Sequence, residues 1–193
     1  MLTESHEALA REVLIHGPIG RGALGRRLGL SPASLTRLAK PFLERGLFVE
    51  LGEESTGSVG RPVRPLDIAP DLGSFAGIKV TGDTLYAVLT DARARPLAER
   101  EVALDGISPE AVVAVLAELV SGFSSIARAP LVGVGVSLGG AVDDAGRVIR
   151  APFLDWTNVD LGPALESAAR ITVTVENDVV ALVEAERWFG AGR

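Results

Sequence analysis

Short polar and basic side chains recur along residues 32–44, on the outer side of the third of three short predicted helices. Hydroxyl, guanidinium and ammonium groups are the groups that hydrogen-bond to base edges and phosphates in DNA. Because an α-helix fits into the major groove, we predict that this helix face contacts a DNA duplex. The candidate contact residues are Ser34, Thr36, Arg37 and Lys40.

A polar, glycine-rich loop adds further basic residues between two short predicted strands, at residues 47–51 and 63–68. Arg61 lies in the turn Gly60-Arg61-Pro62, where an arginine is well placed to enter a minor groove. Arg64 follows it and is a second candidate in the same loop. Arg21 and Arg26, in the second predicted helix, are weaker candidates for phosphate contact.

Apolar residues at helical spacing predict the helices that would position these side chains, over residues 4–16, 20–28 and 32–44. Ser31 is a favourable N-cap and Pro32 fits the first position of the third helix. Three helices followed by two strands are typical of a winged helix-turn-helix, here over residues 1–67.

Pro41 lies inside the third helical pattern and has no backbone N–H to donate. We therefore expect the helix to kink or end there, which would restrict the recognition segment to residues 32–40.

The charge is distributed unevenly along the chain. The 193 residues carry a formal net charge of −6, but residues 20–64 hold eight basic and four acidic side chains. Residues 68–193 hold ten basic and seventeen acidic side chains. This asymmetry indicates an anion-binding module joined to an acidic one. A three-helix unit with exposed arginines is also compatible with a protein-binding module, in which the arginines are only solvated.

The composition excludes several other classes of protein. The sequence has no cysteine, which rules out a disulfide scaffold and a cysteine-ligated zinc site within this chain. The two histidines, His6 and His16, are expected to be ordinary helix positions, so we predict no metal site and no cofactor. No run of about 18 apolar residues and no secretion signal is evident, so we expect a cytoplasmic protein without a membrane span.

Residues 68–193 follow a different, α/β pattern. Three strands come first, then a helix capped by Ser108, and strands then alternate with helices in the order βββαβαβα. The run Leu131 to Val136 is continuously apolar, which predicts a central strand buried on both faces. Asn177 is placed to cap the last helix.

Four segments resemble transcriptional regulators of the ROK family (repressors, open reading frames, kinases). They are GRGALGRRLGLSPASLTRLAKPFLERGLFVE, GRPVRPLDIAPDLGSFAGIKV, LVGVGVSLGGAVDDAGRVIRAPFLDW and VENDVVALVEAERWFGAGR. The resemblance implies a winged helix-turn-helix before one ribonuclease H-like (actin-type ATPase) lobe of a sugar-kinase-like body. It also implies homo-oligomers, a sugar or sugar-phosphate effector and control of carbohydrate genes. We expect the chain to be truncated after that first lobe, without the second.

Kinases of the same family carry an Asp-x-Gly-Gly-Thr hairpin that binds magnesium and phosphate. In the matching stretch, Lys79 stands where the resemblance places the carboxylate, and Asp83 lies near the phosphate loop. An ammonium group cannot ligate magnesium, and an added carboxylate repels a triphosphate. We therefore predict no enzyme activity.

The resemblance also points to a sugar site. In the kinases the Asp of a Glu-Asn-Asp motif is the catalytic base; here Glu176, Asn177 and Asp178 would instead hydrogen-bond sugar hydroxyls. The alternative is that Asn177 and Asp178 serve only as helix cap and first-turn carboxylate. Phe153 replaces an Asn of many relatives, and Trp156 is expected to pack rather than to stack on a sugar.

These observations predict a sequence-specific regulator that binds double-stranded DNA, a repressor of carbohydrate-related genes that responds to a sugar. The alternative is an ATP-dependent sugar kinase of the ROK family with an N-terminal extension. A third possibility is a DNA-binding protein whose second module serves only dimerisation.

Overall fold

The computed structural model describes residues 3–52 and 64–190, which form two compact units with the boundary between Leu72 and Gly73. The sequence pattern predicts that the second module begins at residue 68. Ile68 instead ends a strand of the first unit, and the Ala69 side chain is buried.

The first unit contains three helices followed by a two-stranded antiparallel sheet. Its elements are α1 (Glu4–His16), α2 (Arg21–Leu28), α3 (Pro32–Glu44), β1 (Phe48–Glu50) and β2 (Leu66–Ile68). The three predicted helices are confirmed nearly to the residue. Each helix contributes apolar side chains to one core, in which the rings of Phe42 and Phe48 stack with centroids 4.5 Å apart.

Local chemistry defines the start of α3. Gly29 adopts the left-handed conformation (φ 64°) that ends α2, and the Ser31 hydroxyl accepts a hydrogen bond from the Ser34 backbone N–H at 3.2 Å. The expectation that Pro41 ends or kinks the recognition segment at residue 40 is wrong in its boundary, because α3 continues to Glu44. Pro41 removes only the hydrogen bond that the Arg37 carbonyl would accept, and Arg37 is exposed. Leu38 and Phe42 are buried and hold the helix against the core.

The second unit is built on a five-stranded mixed sheet. Its first elements are β3 (Ser74–Val80), β4 (Thr84–Asp91), β5 (Pro96–Ala103), α4 (Pro109–Ile126) and β6 (Leu131–Leu138). A small sheet follows, formed by β7 (Ala141–Val142), β8 (Val148–Ala151) and β9 (Trp156–Val159), and then come α5 (Leu161–Ala169), β10 (Val173–Asn177) and α6 (Asp178–Phe189). The strand order in the main sheet is β10-β6-β3-β4-β5, in which β10, β6 and β3 are parallel.

Helices α4 and α5 bury one face of the main sheet. Helix α4 is long and apolar enough, by length and composition, to resemble a membrane span. Its residues at helical spacing, Val112, Leu116, Val120 and Phe123, are nevertheless buried in the core of this unit. Helix α4 is therefore a core helix of the second unit.

The central strand β6 differs from its prediction. Val134, Val136 and Leu138 are buried, whereas Val132 and Gly135, on the other face, are exposed. The expectation of burial on both faces is therefore wrong for the described residues. The reason is that α4 and α5 cover only one face, and α6 covers little of the other, having no buried residue of its own.

Candidate functional site

The outer face of α3 carries the side chains that the sequence singled out. Thr36, Arg37 and Lys40 are exposed, and Ser34 is half-buried. The Ser34 hydroxyl accepts a hydrogen bond from the Ser31 hydroxyl at 3.0 Å, and the Thr36 hydroxyl donates to the Pro32 carbonyl at 2.9 Å. The Ser34 hydroxyl therefore keeps its hydrogen for a donor contact, and the Thr36 hydroxyl keeps its lone pairs as acceptors.

The two cations on this face differ. Lys40 lies 3.6 Å from the Glu44 carboxylate one turn later, in an exposed pair of small energetic weight. The Arg37 side chain makes no hydrogen bond or ion pair with any residue that the structure describes. It is therefore the side chain of this face that is most available to a ligand.

The base of the loop between β1 and β2 is tied to α2. The Arg21 guanidinium forms an ion pair with Glu50 of β1 and donates to the Arg64 carbonyl at 3.4 Å. Arg64 itself is exposed, and Arg61 lies outside the described residues. Arg21, expected as a phosphate contact, is thus engaged within the protein, whereas Arg26 is exposed.

In the second unit, the parallel strands bring the other candidate residues to one edge of the sheet. Because β3, β6 and β10 are parallel, their carboxyl ends meet there, as is common for ligand sites in α/β sheets. A cavity of about 430 Å³ lies at this edge. It is lined by Lys79, Thr81, Gly82, Asp83, Gly139, Phe153 and Asp178, among others.

Asn177 is used by the protein itself. Its amide oxygen accepts hydrogen bonds from the backbone N–H groups of Val179, at 2.9 Å, and Val180, at 3.3 Å, and so caps α6. Its amide nitrogen donates to the Gly140 carbonyl at 2.8 Å. The cap role therefore describes Asn177, and its second amide N–H is what it retains for a ligand.

Glu176 and Asp178 take different positions. The Glu176 carboxylate accepts a hydrogen bond from the Asn177 backbone N–H at 2.7 Å. The Asp178 carboxylate lines the 430 Å³ cavity and lies 3.9 Å from the Lys79 ammonium. Asp178 is therefore the member of the motif that faces the cavity.

The two aromatic residues near this edge have opposite roles. Trp156 is 3% exposed and donates from its indole N–H to the Ile107 carbonyl at 2.6 Å, so it packs in the core as expected. Phe153 is 80% exposed and lies against Gly82 and Gly139 at the mouth of the cavity. An exposed ring beside a carboxylate and an ammonium group can contact the apolar face of a small polar ligand.

Sequence reasoning missed the proximity of Lys79 to Asp178 and the bond from Asn177 to Gly140. The parallel register is the signal that could have found them, because it places the ends of β3, β6 and β10 side by side.

Comparisons with known proteins agree with this architecture. The ROK family model matches residues 75–193. The xylose repressor of Bacillus spizizenii is 26% identical over 194 residues, which cover 98% of this chain and 50% of the repressor. The chain thus spans about half the length of the curated relatives it matches.

Two solved structures are also similar. A ROK family transcriptional regulator, a homologue of the Escherichia coli MLC protein, superposes with a TM-score of 0.74 and 25% identity over 96% of this chain and 48% of its own. A ROK family glucokinase from Streptomyces griseus, in complex with glucose and AMPPNP, gives a TM-score of 0.57 and 31% identity. The glucokinase match covers 63% of this chain and 38% of the glucokinase.

Proposed function

This chain belongs to the ROK family, and on that premise we propose that it is a sequence-specific, DNA-binding transcriptional repressor that responds to a sugar. One observation carries the proposal. The similar regulator structure covers 96% of the chain, whereas the glucokinase covers 63%. The regulator match covers more of the chain than the glucokinase match does, and the difference is about the size of the first unit.

The first unit supports DNA binding as a winged helix-turn-helix. Helices α2 and α3 are joined by a short turn that contains Gly29 and Ser31, and α3 presents Arg37 to solvent. In this proposal α3 enters the major groove, where Arg37 reads a guanine and Lys40 contacts phosphate. Ser34 would donate a hydrogen bond to a base or phosphate, and Thr36 would accept one or contribute its methyl group.

The loop between β1 and β2 acts as the wing in this proposal. Arg64 at its described end and Arg61 beyond it would contact the backbone or the minor groove. The acidic second unit is expected to contribute nothing to phosphate binding, because its net charge repels DNA.

The cavity at the carboxyl edge of the main sheet is the proposed effector site. Asp178 would accept hydrogen bonds from sugar hydroxyls, and Asn177 would hold the Gly140 loop and α6 in place around the ligand. Glu176 would act by orienting the Asn177 backbone. The relative named a xylose repressor makes xylose the first sugar to test.

The competing function is an ATP-dependent sugar kinase, which the glucokinase match and the retained Glu176-Asn177-Asp178 motif favour. Lys79 argues against it, because it stands where the family resemblance places a magnesium-binding carboxylate, and an ammonium group cannot ligate magnesium. ATP turnover that requires a sugar, either xylose or glucose, and that is lost when Asp178 is replaced would show that the chain is a kinase.

The deciding experiment for the proposal measures binding to DNA fragments from upstream of the chain's own gene by fluorescence anisotropy at several salt concentrations. We expect affinity to fall steeply with salt, because phosphate contacts release counterions. Arg37→Ala should lose about 1–3 kcal/mol on the operator and relax specificity at one base pair. Lys40→Ala should weaken binding to all DNA sequences alike and reduce the salt dependence of the affinity. Binding that is absent, or insensitive to salt, would refute the proposal.

A further inference from the structure

The cavity at the carboxyl edge of the main sheet has three ionisable side chains among the described residues that line it. They are Lys79 of β3, Asp83 in the turn between β3 and β4, and Asp178 at the start of α6. One ammonium group and two carboxylates give this wall of the cavity an excess of negative charge. The sign of that charge bears on the class of sugar that the wall accepts.

The positive charge of Lys79 is already matched. Its ammonium group lies 3.9 Å from the Asp178 carboxylate, so a nearby ligand meets two opposite charges that largely offset each other. Lys79 is therefore a weak attractor for an anionic ligand. Asp178 keeps carboxylate oxygens that accept hydrogen bonds from hydroxyl groups.

The negative charge of Asp83 is not matched. Its exposed carboxylate forms no ion pair with any residue that the structure describes, and accepts a hydrogen bond from the neutral Thr81 hydroxyl at 3.1 Å. The same hydroxyl donates to the Thr84 carbonyl at 2.8 Å and accepts from the Thr84 backbone N–H at 3.0 Å. Because the turn fixes Thr81, Thr81 holds the Asp83 carboxylate at the edge of the cavity.

The other groups that line the cavity suit an uncharged ligand. Gly82 and Gly139 contribute backbone without side chains, and the Phe153 ring beside them is exposed. A sugar ring has apolar C–H groups that pack against an aromatic ring, and hydroxyl groups that donate to carboxylates. Neither contact requires a charge on the ligand.

We propose that this site selects an unphosphorylated sugar and that Asp83 is the residue that disfavours a sugar phosphate, an inference that rests on the sugar response proposed above. A phosphate group carries about −1.5 to −2 charge at pH 7, so a carboxylate without a cation beside it repels that group. A hydroxyl in the same place donates a hydrogen bond to the carboxylate instead. Because Asp83 is exposed, water and salt screen the repulsion, and we expect discrimination of about tenfold rather than exclusion.

The test compares a sugar with its own phosphate ester, so that the two ligands differ only in the phosphate group. Binding to the full chain is measured by isothermal titration calorimetry with xylose and xylose 5-phosphate, and with glucose and glucose 6-phosphate. We expect at least one of the free sugars to bind, about tenfold more tightly than its ester. Asp83→Asn keeps an oxygen that accepts from Thr81 but removes the charge, so it should reduce this ratio by about threefold or more.

A matched variant separates the local effect of Asp83 from a change in net charge. Asp144→Asn makes the same substitution in the turn between β7 and β8, where the side chain is exposed and does not line this cavity. It should leave the ratio of the two affinities at the wild-type value. A salt series on the wild type tests the idea without any substitution, because added salt screens the charge and should narrow the ratio.

Four results would overturn the proposal. They are a phosphate ester that binds at least as tightly as its parent sugar, a ratio that Asp83→Asn leaves unchanged, equal effects of Asp83→Asn and Asp144→Asn, and a wild-type ratio that salt does not alter. Each of these leaves the sugar-responsive function standing, because a sugar or its ester still binds. Binding of none of the four ligands would overturn this inference together with the sugar response, and would leave DNA binding untouched.

Discussion

The Lys79 ammonium lies 3.9 Å from the Asp178 carboxylate, across the gap between the end of β3 and the start of α6. The two side chains are 53% and 31% exposed, so water screens the pair. Lys79 therefore places a positive charge beside the Asp178 carboxylate, which faces the cavity, and contributes little to holding β3 and α6 together.

The first prediction concerns the energy of this pair. A double-mutant cycle with Lys79→Met and Asp178→Asn, measured by urea unfolding, should give a coupling energy below about 1 kcal/mol. Each single variant should unfold at nearly the urea concentration of the wild type. A coupling of several kcal/mol would mean that the pair holds β3 and α6 together.

The second prediction separates the two roles of Asn177. Asn177→Ala removes the cap of α6 and the bond to Gly140, so it should destabilise the protein by about 2 kcal/mol. Asn177→Asp keeps a capping oxygen but loses the donor to Gly140, so it should cost about 1 kcal/mol.

Urea unfolding of the two Asn177 variants checks this order. Thermal-shift measurements with xylose, made in parallel, should show whether the aspartate variant retains ligand binding. If the two variants are equally stable, the capping oxygen contributes nothing. If Asn177→Asp is as stable as the wild type, the bond to Gly140 contributes nothing.

Much of the fold could be predicted because its signals are local. The bounds of α1 and α3 follow from the apolar spacing and from Ser31, and the cap of α6 follows from Asn177. The small sheet of β7, β8 and β9 was not predicted, because strands of two to four residues carry too little periodicity.

The errors have a common physical cause. The apolar run of β6 indicates which residues avoid water, but which face is covered depends on where α4 and α6 pack. Likewise, the ion pair of Arg21 with Glu50 joins residues that are 29 positions apart. Neither arrangement can be read from sequence spacing alone, because both depend on tertiary packing.

The third prediction is a dependence of stability on pH from Asp91, at the end of β4. Burial raises the pKa of this carboxyl, but hydrogen bonds from the Arg95 and Arg93 backbone N–H groups and from the Arg95 side chain outweigh burial and lower it. A folded-state pKa below the unfolded value of about 3.9 stabilises the protein above that pH, and the stabilisation is lost as pH falls through the folded value.

Asp91→Asn should therefore lower the unfolding temperature at pH 7. The difference from the wild type should begin to shrink below about pH 4, where the carboxyl of the unfolded chain becomes protonated, and it should disappear as the pH falls through the lower pKa of the folded state. Differential scanning calorimetry from pH 7 to pH 3 measures this. A difference that stays constant over that range would show that ionisation of Asp91 does not contribute.

The fourth prediction concerns Arg21, which ties α2 to both ends of the loop between β1 and β2. Arg21 is paired with Glu50 and donates to the Arg64 carbonyl, so we expect it to position the loop rather than to contact phosphate. Arg21→Glu should weaken DNA binding, and the double variant Arg21→Glu with Glu50→Arg should recover most of the loss, because it restores the ion pair with its charges exchanged.

The salt dependence of DNA affinity distinguishes the two roles of Arg21. If Arg21 only positions the loop, Arg21→Gln should lower the affinity at every salt concentration without changing the slope of log affinity against log salt. If Arg21 contacts a phosphate, Arg21→Gln should reduce that slope by about one. Arg26→Gln gives the comparison for a phosphate contact, because Arg26 is an exposed candidate for that role on the same helix, and it should reduce the slope. Failure of the charge exchange to restore affinity, together with a reduced slope for Arg21→Gln, would assign Arg21 to the DNA backbone after all.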